Sequence, residues 1–131
     1  GSAWTDHHTI ALVQAPKDFV HHVAVEVQDF DAQCLGHEWM TRQGWSPFWG
    51  VGRHMLGSQI FDYWRDPSGN LIEHFTDGDL FNQDSPSGYT QACDASLYQW
   101  GPPMSVEFFL GGECAAEQTV PRSTSDRQRR S

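Results

Sequence analysis

The stretch "SQIFDYWRDPSGNLIEHFT", residues 58–76, decides the fold. Two runs of apolar and aromatic residues, 58–65 and 70–76, flank "DPSG", a type I turn sequence with proline in its preferred second position. The pattern predicts a β-hairpin. Side chains alternate between the two faces of a strand, so Gln59, Phe61, Tyr63 and Arg65 share one face of the first strand. Leu71, Glu73 and Phe75 share one face of the second, and Glu73 points away from His74.

Working upstream, residues 45–53, "WSPFWGVGR", mix aromatics with Gly and Pro and read as a bent strand or loop. Before them, from Asp29, the spacing turns helical: Phe30, Cys34 and either Trp39 or Met40 recur on one side, and Gly44 is a stop. Earlier still, residues 19–27, "FVHHVAVEV", alternate strictly. His21, Val23, Val25 and Val27 take one face, which the helix is expected to cover; His22, Ala24 and Glu26 take the other, more polar one. The order from residue 21 is strand, helix and about three strands, an α+β unit of βαβββ type. Residues 8–13, "HTIALV", predict a further short strand ending at Ala15-Pro16. After Phe81 the turn clusters "DSPSGY" and "QWGPPM" predict a wrapping extension, with Val106–Leu110 as one short strand. No internal repeat is visible.

The chain has 131 residues, enough for one core, and a net charge of −9. Four of its eight basic residues, Arg122, Arg127, Arg129 and Arg130, fall within the last ten residues, so the body before residue 121 is more acidic still. An acidic body repels phosphate backbones, and nucleic-acid binding is not expected. No apolar run is long enough for a membrane span or a signal peptide, which predicts a soluble, cytoplasmic protein. Cys34, Cys93 and Cys114 are odd in number and lack zinc-site spacing; they read as buried thiols in a reducing compartment. The domain is placed at residues 3–120, with the βαβββ module at about 19–81 and the extension at 82–120. Residues 121–131 read as a disordered tail, and "GS" at the start as a tag-cleavage remnant.

A non-haem Fe(II) site takes two imidazoles and a carboxylate on one face, with adjacent positions left open. His22 and Glu73 suit such a set, since each rises from one face of a strand and a curved sheet brings strands together around a cavity. By residue type alone they are equally ordinary polar side chains on a solvated sheet face. Phe61 and Phe75 offer an apolar wall for an aromatic ring, or simply core packing.

Taken together, "DHHTIAL", "HHVAVEV" with its "F-D" helix start, "GVGRH" and "FDYWRDPSGNLIEHFTDGDLF" resemble the end of the catalytic domain of a type I extradiol ring-cleavage dioxygenase. That group lies in the vicinal oxygen chelate superfamily, built from paired βαβββ modules. The resemblance spans residues 6–81. It implies that His22 and Glu73 are metal ligands, that His54 hydrogen-bonds substrate oxygen, that Tyr63 steadies an ionised hydroxyl, and that His8 is the acid–base histidine with His7 beside it. His21 and His74 are then structural, and His37, within the helix, is a surface residue. The implied reaction is cleavage of a catechol-type aromatic diol by O2 at Fe(II), with Mn(II) as the other candidate, the ring opening next to the diol. The sequence departs from the pattern after His54, where "MLGS" replaces a polar oxygen-site residue.

The family pattern also requires a metal-binding histidine from a preceding module, of which only a final strand, "HTIAL", is matched. The chain alone is thus expected to supply two of three ligands and to be inactive or nearly so. One module leaves its concave face, with His22, Phe61, Tyr63 and Phe75, exposed, so completion by another module or by homo-oligomerisation is expected. Two copies meeting module to module would set two His and two Glu around one site, as in the glyoxalase and bleomycin-resistance proteins.

Overall fold

The computed structural model describes residues 3–91 and 93–109. The predicted disordered tail, Leu110, Cys114, the rest of the extension to residue 120 and the Gly1-Ser2 remnant lie outside the described residues. In chain order the elements are β1 (Thr5–Asp6), β2 (His22–Glu26), α1 (Phe30–Arg42), β3 (Gly50–Arg53), β4 (Ile60–Arg65), β5 (Leu71–Thr76), β6 (Leu80–Phe81), α2 (Asp94–Leu97) and α3 (Val106–Phe109). From β2 to β5 they form the predicted βαβββ module. Its sheet runs β2-β5-β4-β3, with β2 parallel to β5 and the other neighbours antiparallel. Among the described residues no helix is long and apolar enough to cross a membrane.

The hairpin forms where the turn chemistry puts it. Asp66 Oδ1 accepts from the backbone N–H groups of Ser68 at 2.9 Å and Asn70 at 2.8 Å, and Gly69 takes φ +89°. This fixes the register Phe61 opposite Phe75 and Tyr63 opposite Glu73. Ala24 lies beside Glu73 on the parallel strand, so His22, Ala24, Glu73, Phe61 and Tyr63 share one face of the sheet. Helix α1 starts as predicted, with Asp29 Oδ1 accepting from the Ala32 N–H at 2.8 Å, and ends before Gly44 at φ +88°.

Several expectations are corrected. Residues 8–13 form no strand, and Ile10, Leu12 and Val13 stand exposed; only Thr5–Asp6 pairs, against Leu80–Phe81. Strand composition reports fit to a pleated surface with cross-strand neighbours, and residues 8–13 pair with no described strand. Helix α1 packs on β3, β4 and β5 but not on β2, leaving Val23 and Val25 55% and 52% exposed. Its inward side carries Gln33 and His37 in place of Phe30 and Trp39, which remain exposed. Val106–Phe109 is helical, and Cys93 is exposed.

His37 is not a free surface residue. Its Nδ1 lies 3.1 Å from both oxygens of the fully buried Asp62, and the Trp64 Nε1–H donates to Asp62 Oδ2 at 2.7 Å. Burial pushes the Asp62 carboxyl up, against the pull of the bonds from Trp64 and His37. Beside this cluster Gln33 Nε2 donates to the carbonyls of Ile60 and His74, both at 3.2 Å. Helix and sheet are thus joined by polar pairs, which apolar periodicity does not register.

The concave face is covered at Phe61 and Tyr63, contrary to expectation, while His22 and Phe75 stay partly exposed. Trp49, Phe61, Tyr63 and Phe108 form one core with Phe48, Tyr98 and Met104 against it, and Phe61 and Tyr63 are 0% and 1% exposed. The segment after Phe81 folds back over the cup, where burial of aromatic surface is most favourable. It also covers the β3 edge: the Arg53 N–H donates to the Trp100 carbonyl at 2.9 Å. Gly52 permits that approach, since a Cβ there would lie 2.8 Å from the Trp100 oxygen and 2.4 Å from Phe61 Cζ.

Asp62→Ala orphans the buried Trp64 N–H and releases His37. It should lower the unfolding free energy by about 2 kcal/mol, read as a lower urea midpoint at unchanged slope. An unchanged midpoint contradicts a structural role for the cluster.

Candidate metal centre

Glu73 sits at the middle of β5, its side chain buried against the core. Two imidazoles reach its two oxygens: His22 Nε2 lies 3.2 Å from Oε2, and His54 Nε2 lies 3.5 Å from Oε1. The first comes from the start of β2 and the second from just beyond β3, so three strands converge on one carboxylate. Burial alone would push the Glu73 carboxyl up; hydrogen bonds and charge from His22 and His54 overcome it and hold it at about 2.

His54 is oriented from outside the module. The Leu97 carbonyl, 2.7 Å from His54 Nδ1, can only accept, so Nδ1 carries the proton. In the neutral ring Nε2 then holds a lone pair, and the Tyr63 hydroxyl lies 3.0 Å from it. Burial, then the Glu73 charge and hydrogen bond, push the Tyr63 phenol well above its usual value, so Tyr63 remains a donor. Its ring stands edge-on to His22 at 5.3 Å between centroids.

His8 lies outside any strand, 2.9 Å from His7 through their Nδ1 atoms. It is near enough to feel the charges of Glu73, His22 and His54; partial burial, then His7, lower its basicity. His21 does not turn to the helix: its Nδ1 lies 2.7 Å from His22 Nδ1, and its Nε2 donates to the Phe108 carbonyl. It precedes the first residue of β2 and is therefore not held to that strand's alternation.

The donor types suit a divalent cation, with an imidazole nitrogen and a carboxylate turned toward one point and a second imidazole alongside. Among the described residues no set of three or more His, Cys, Asp or Glu is arranged to hold a metal ion.

Over 108 residues, 81% of its length, the chain is 41% identical to metapyrocatechase 2 of Cupriavidus necator. This chain is a homologue of a metapyrocatechase. It spans about a third of that relative, 33% of its length. No family model matches. Among solved structures, the Mn(II)-bound glyoxalase of Novosphingobium aromaticivorans superposes with TM-score 0.57 at 26% identity, over 62% of this chain and 27% of that one. A catechol 2,3-dioxygenase superposes with TM-score 0.52 at 19% identity, over 71% and 29%. The fold is that of a partial vicinal oxygen chelate module, and the resemblance to the extradiol dioxygenases holds.

In this metapyrocatechase homologue, sequence reasoning missed what fixes the histidines. The Leu97 and Phe108 carbonyls belong to the extension, and a backbone acceptor leaves no trace in residue type.

A carboxyl held below its ordinary 4.5 stabilises the fold fully above that pH, and the gain is lost as pH falls through about 2. Between pH 2 and 5 the urea-derived unfolding free energy of the metal-free chain should rise about 3 kcal/mol more than that of Glu73→Gln. Parallel curves for the two proteins contradict this placement of Glu73.

Proposed function

We propose that this chain supplies part of the active site of an extradiol dioxygenase, which cleaves a catechol-type aromatic diol with O2. His22 and Glu73 ligate Fe(II), or Mn(II) in its place, and a third ligand comes from outside the described residues. The observation that carries this reading is the convergence of His22 Nε2 on a buried Glu73 carboxylate, with the Tyr63 hydroxyl and His54 Nε2 beside it. Homology to metapyrocatechase 2 supports the choice of reaction.

When bound, the metal supplies the positive charge that lowers the pKa of a diol hydroxyl and the electronic path between diol and O2. The protein's own groups do the rest. Tyr63, kept protonated, donates to an ionised diol oxygen and holds it in place. His54, with its proton committed to Leu97, accepts at Nε2 from the Tyr63 hydroxyl or from a substrate hydroxyl. His8, made less basic by burial and by His7, is neutral and ready to take a proton at the rim. Trp49 and Phe61 form an apolar wall that excludes water.

His22→Ala and Glu73→Ala should each weaken Mn(II) or Fe(II) binding by at least about 100-fold in calorimetry. In the complete gene product loaded anaerobically with Fe(II), air and a catechol should give the yellow ring-fission product, and Tyr63→Phe should lower kcat about 100-fold. Iron bound without colour from any diol contradicts the reading.

A second reading rests on the half-exposed Val23 and Val25 along β2, which among the described residues has no neighbour on its outer edge. A second copy covering this strand would make a glyoxalase-like pair of modules, and the Mn(II)-bound glyoxalase neighbour favours it. Size-exclusion with light scattering should then give a dimer; a stable monomer removes this reading.

A further inference from the structure

Arg53 closes β3 one residue before His54 and pairs with Ile60, so it stands on the face of the sheet opposite to Phe61 and Glu73. Its main chain is pinned to the extension: the N–H donates to the Trp100 carbonyl at 2.9 Å, and the carbonyl accepts from the Gln99 N–H at 2.7 Å. Its guanidinium spans two turns. Nη1 donates to the Ser58 carbonyl at 2.6 Å, and Nη2 donates to Asp77 Oδ2 at 2.7 Å. Ser58 lies at the end of the connection from β3 to β4, and Asp77 directly follows β5.

Both acceptors belong to residues with an uncommon backbone. Among the described residues Ser58 and Asp77 are the non-glycine positions with positive φ, at +59° and +55°. A left-handed serine persists only where its surroundings hold it there. The Arg53 fork supplies one hold. Two more bonds tie the same loop to the same turn: Ser58 Oγ donates to Asp79 Oδ2 at 3.0 Å, and the Asp79 N–H donates to the Gly57 carbonyl at 2.8 Å. Of the two guanidinium arms, the half-buried one to the Ser58 carbonyl is the stronger, since the Asp77 side chain is 67% exposed. The loop so held, residues 55–58, starts at His54. The His54 N–H donates to the Gln59 carbonyl at 2.9 Å and closes the loop at its base. On the other face His54 Nε2 lies 3.0 Å from the Tyr63 hydroxyl and 3.5 Å from Glu73 Oε1.

We infer that Arg53 is a positioning residue: by bracing the 55–58 loop against the turn at 77–79, it holds His54 within reach of Tyr63 and Glu73. The consequence for turnover rests on the proposed dioxygenase reading; the brace itself does not. A displacement of His54 by about 1 Å is enough to slow turnover about 100-fold.

The test uses the complete gene product. Arg53→Met keeps the apolar stem and removes the fork. In it the His54 and Asp79 amides should exchange with deuterium at least about tenfold faster by mass spectrometry, while β2 and β5 exchange as before. Unaltered exchange overturns the brace whatever the activity. With Fe(II) and a catechol, kcat should fall about 10-fold to 100-fold, with bound iron and KM within about threefold of wild type. In a His54→Ala background the same substitution should change the residual kcat by less than about threefold, because an effect carried by His54 is already lost. An equal loss in both backgrounds shows that Arg53 acts on the fold at large and refutes the positioning role. Arg53→Lys keeps the charge without the fork and should fall between wild type and Arg53→Met in exchange and in kcat. A lysine variant equal to wild type in both refutes the need for the fork. A wild type that gives no colour with any diol removes the dioxygenase reading and the positioning role with it, while exchange still decides the brace.

Discussion

A carboxylate buried in an aromatic core must be met by positive charge or by donors, and this constraint on Glu73 organises the molecule. The hairpin turn at Asp66–Gly69 sets the register that puts Glu73 opposite Tyr63, and the parallel crossover lays β2 alongside so that His22 reaches the same point. His54 arrives from the far side of the sheet, just beyond β3. Had any of these strands slipped by one residue, its side chain would point from the opposite face of the sheet.

The extension after Phe81 completes what the module alone would leave open. Its aromatic residues bury Phe61 and Tyr63, and its carbonyls at Leu97 and Phe108 fix the hydrogen bonding of His54 and His21. Packing and chemistry are therefore coupled through a segment whose described residues hold only two short helices. The opposite face of the sheet is held differently, by the His37, Asp62 and Trp64 cluster under α1.

The module was legible because its signals are local: alternation in residues 21–27, a capped helix from Asp29 to Gly44, and a proline turn between two apolar runs. Strand parity alone put Tyr63 and Glu73 on one face, and the observed register agrees. What the sequence did not disclose is relational. Residues 8–13 have strand composition yet pair with no described strand, and the valines of β2 lie beyond the reach of the helix assigned to cover them. Gln33 and His37 face inward because Asp62 and two carbonyls wait there, which no apolar period encodes. His21 escaped its parity by standing one place before the strand.

The most direct test of the account is the position of a bound cation. Crystals of the chain soaked in Mn(II) and measured for anomalous scattering should give a peak at bonding distance, about 2.2 Å, from both His22 Nε2 and a Glu73 oxygen. A peak held by other side chains, or its absence at saturating Mn(II), contradicts the claim that these two residues form the metal-binding corner of the site.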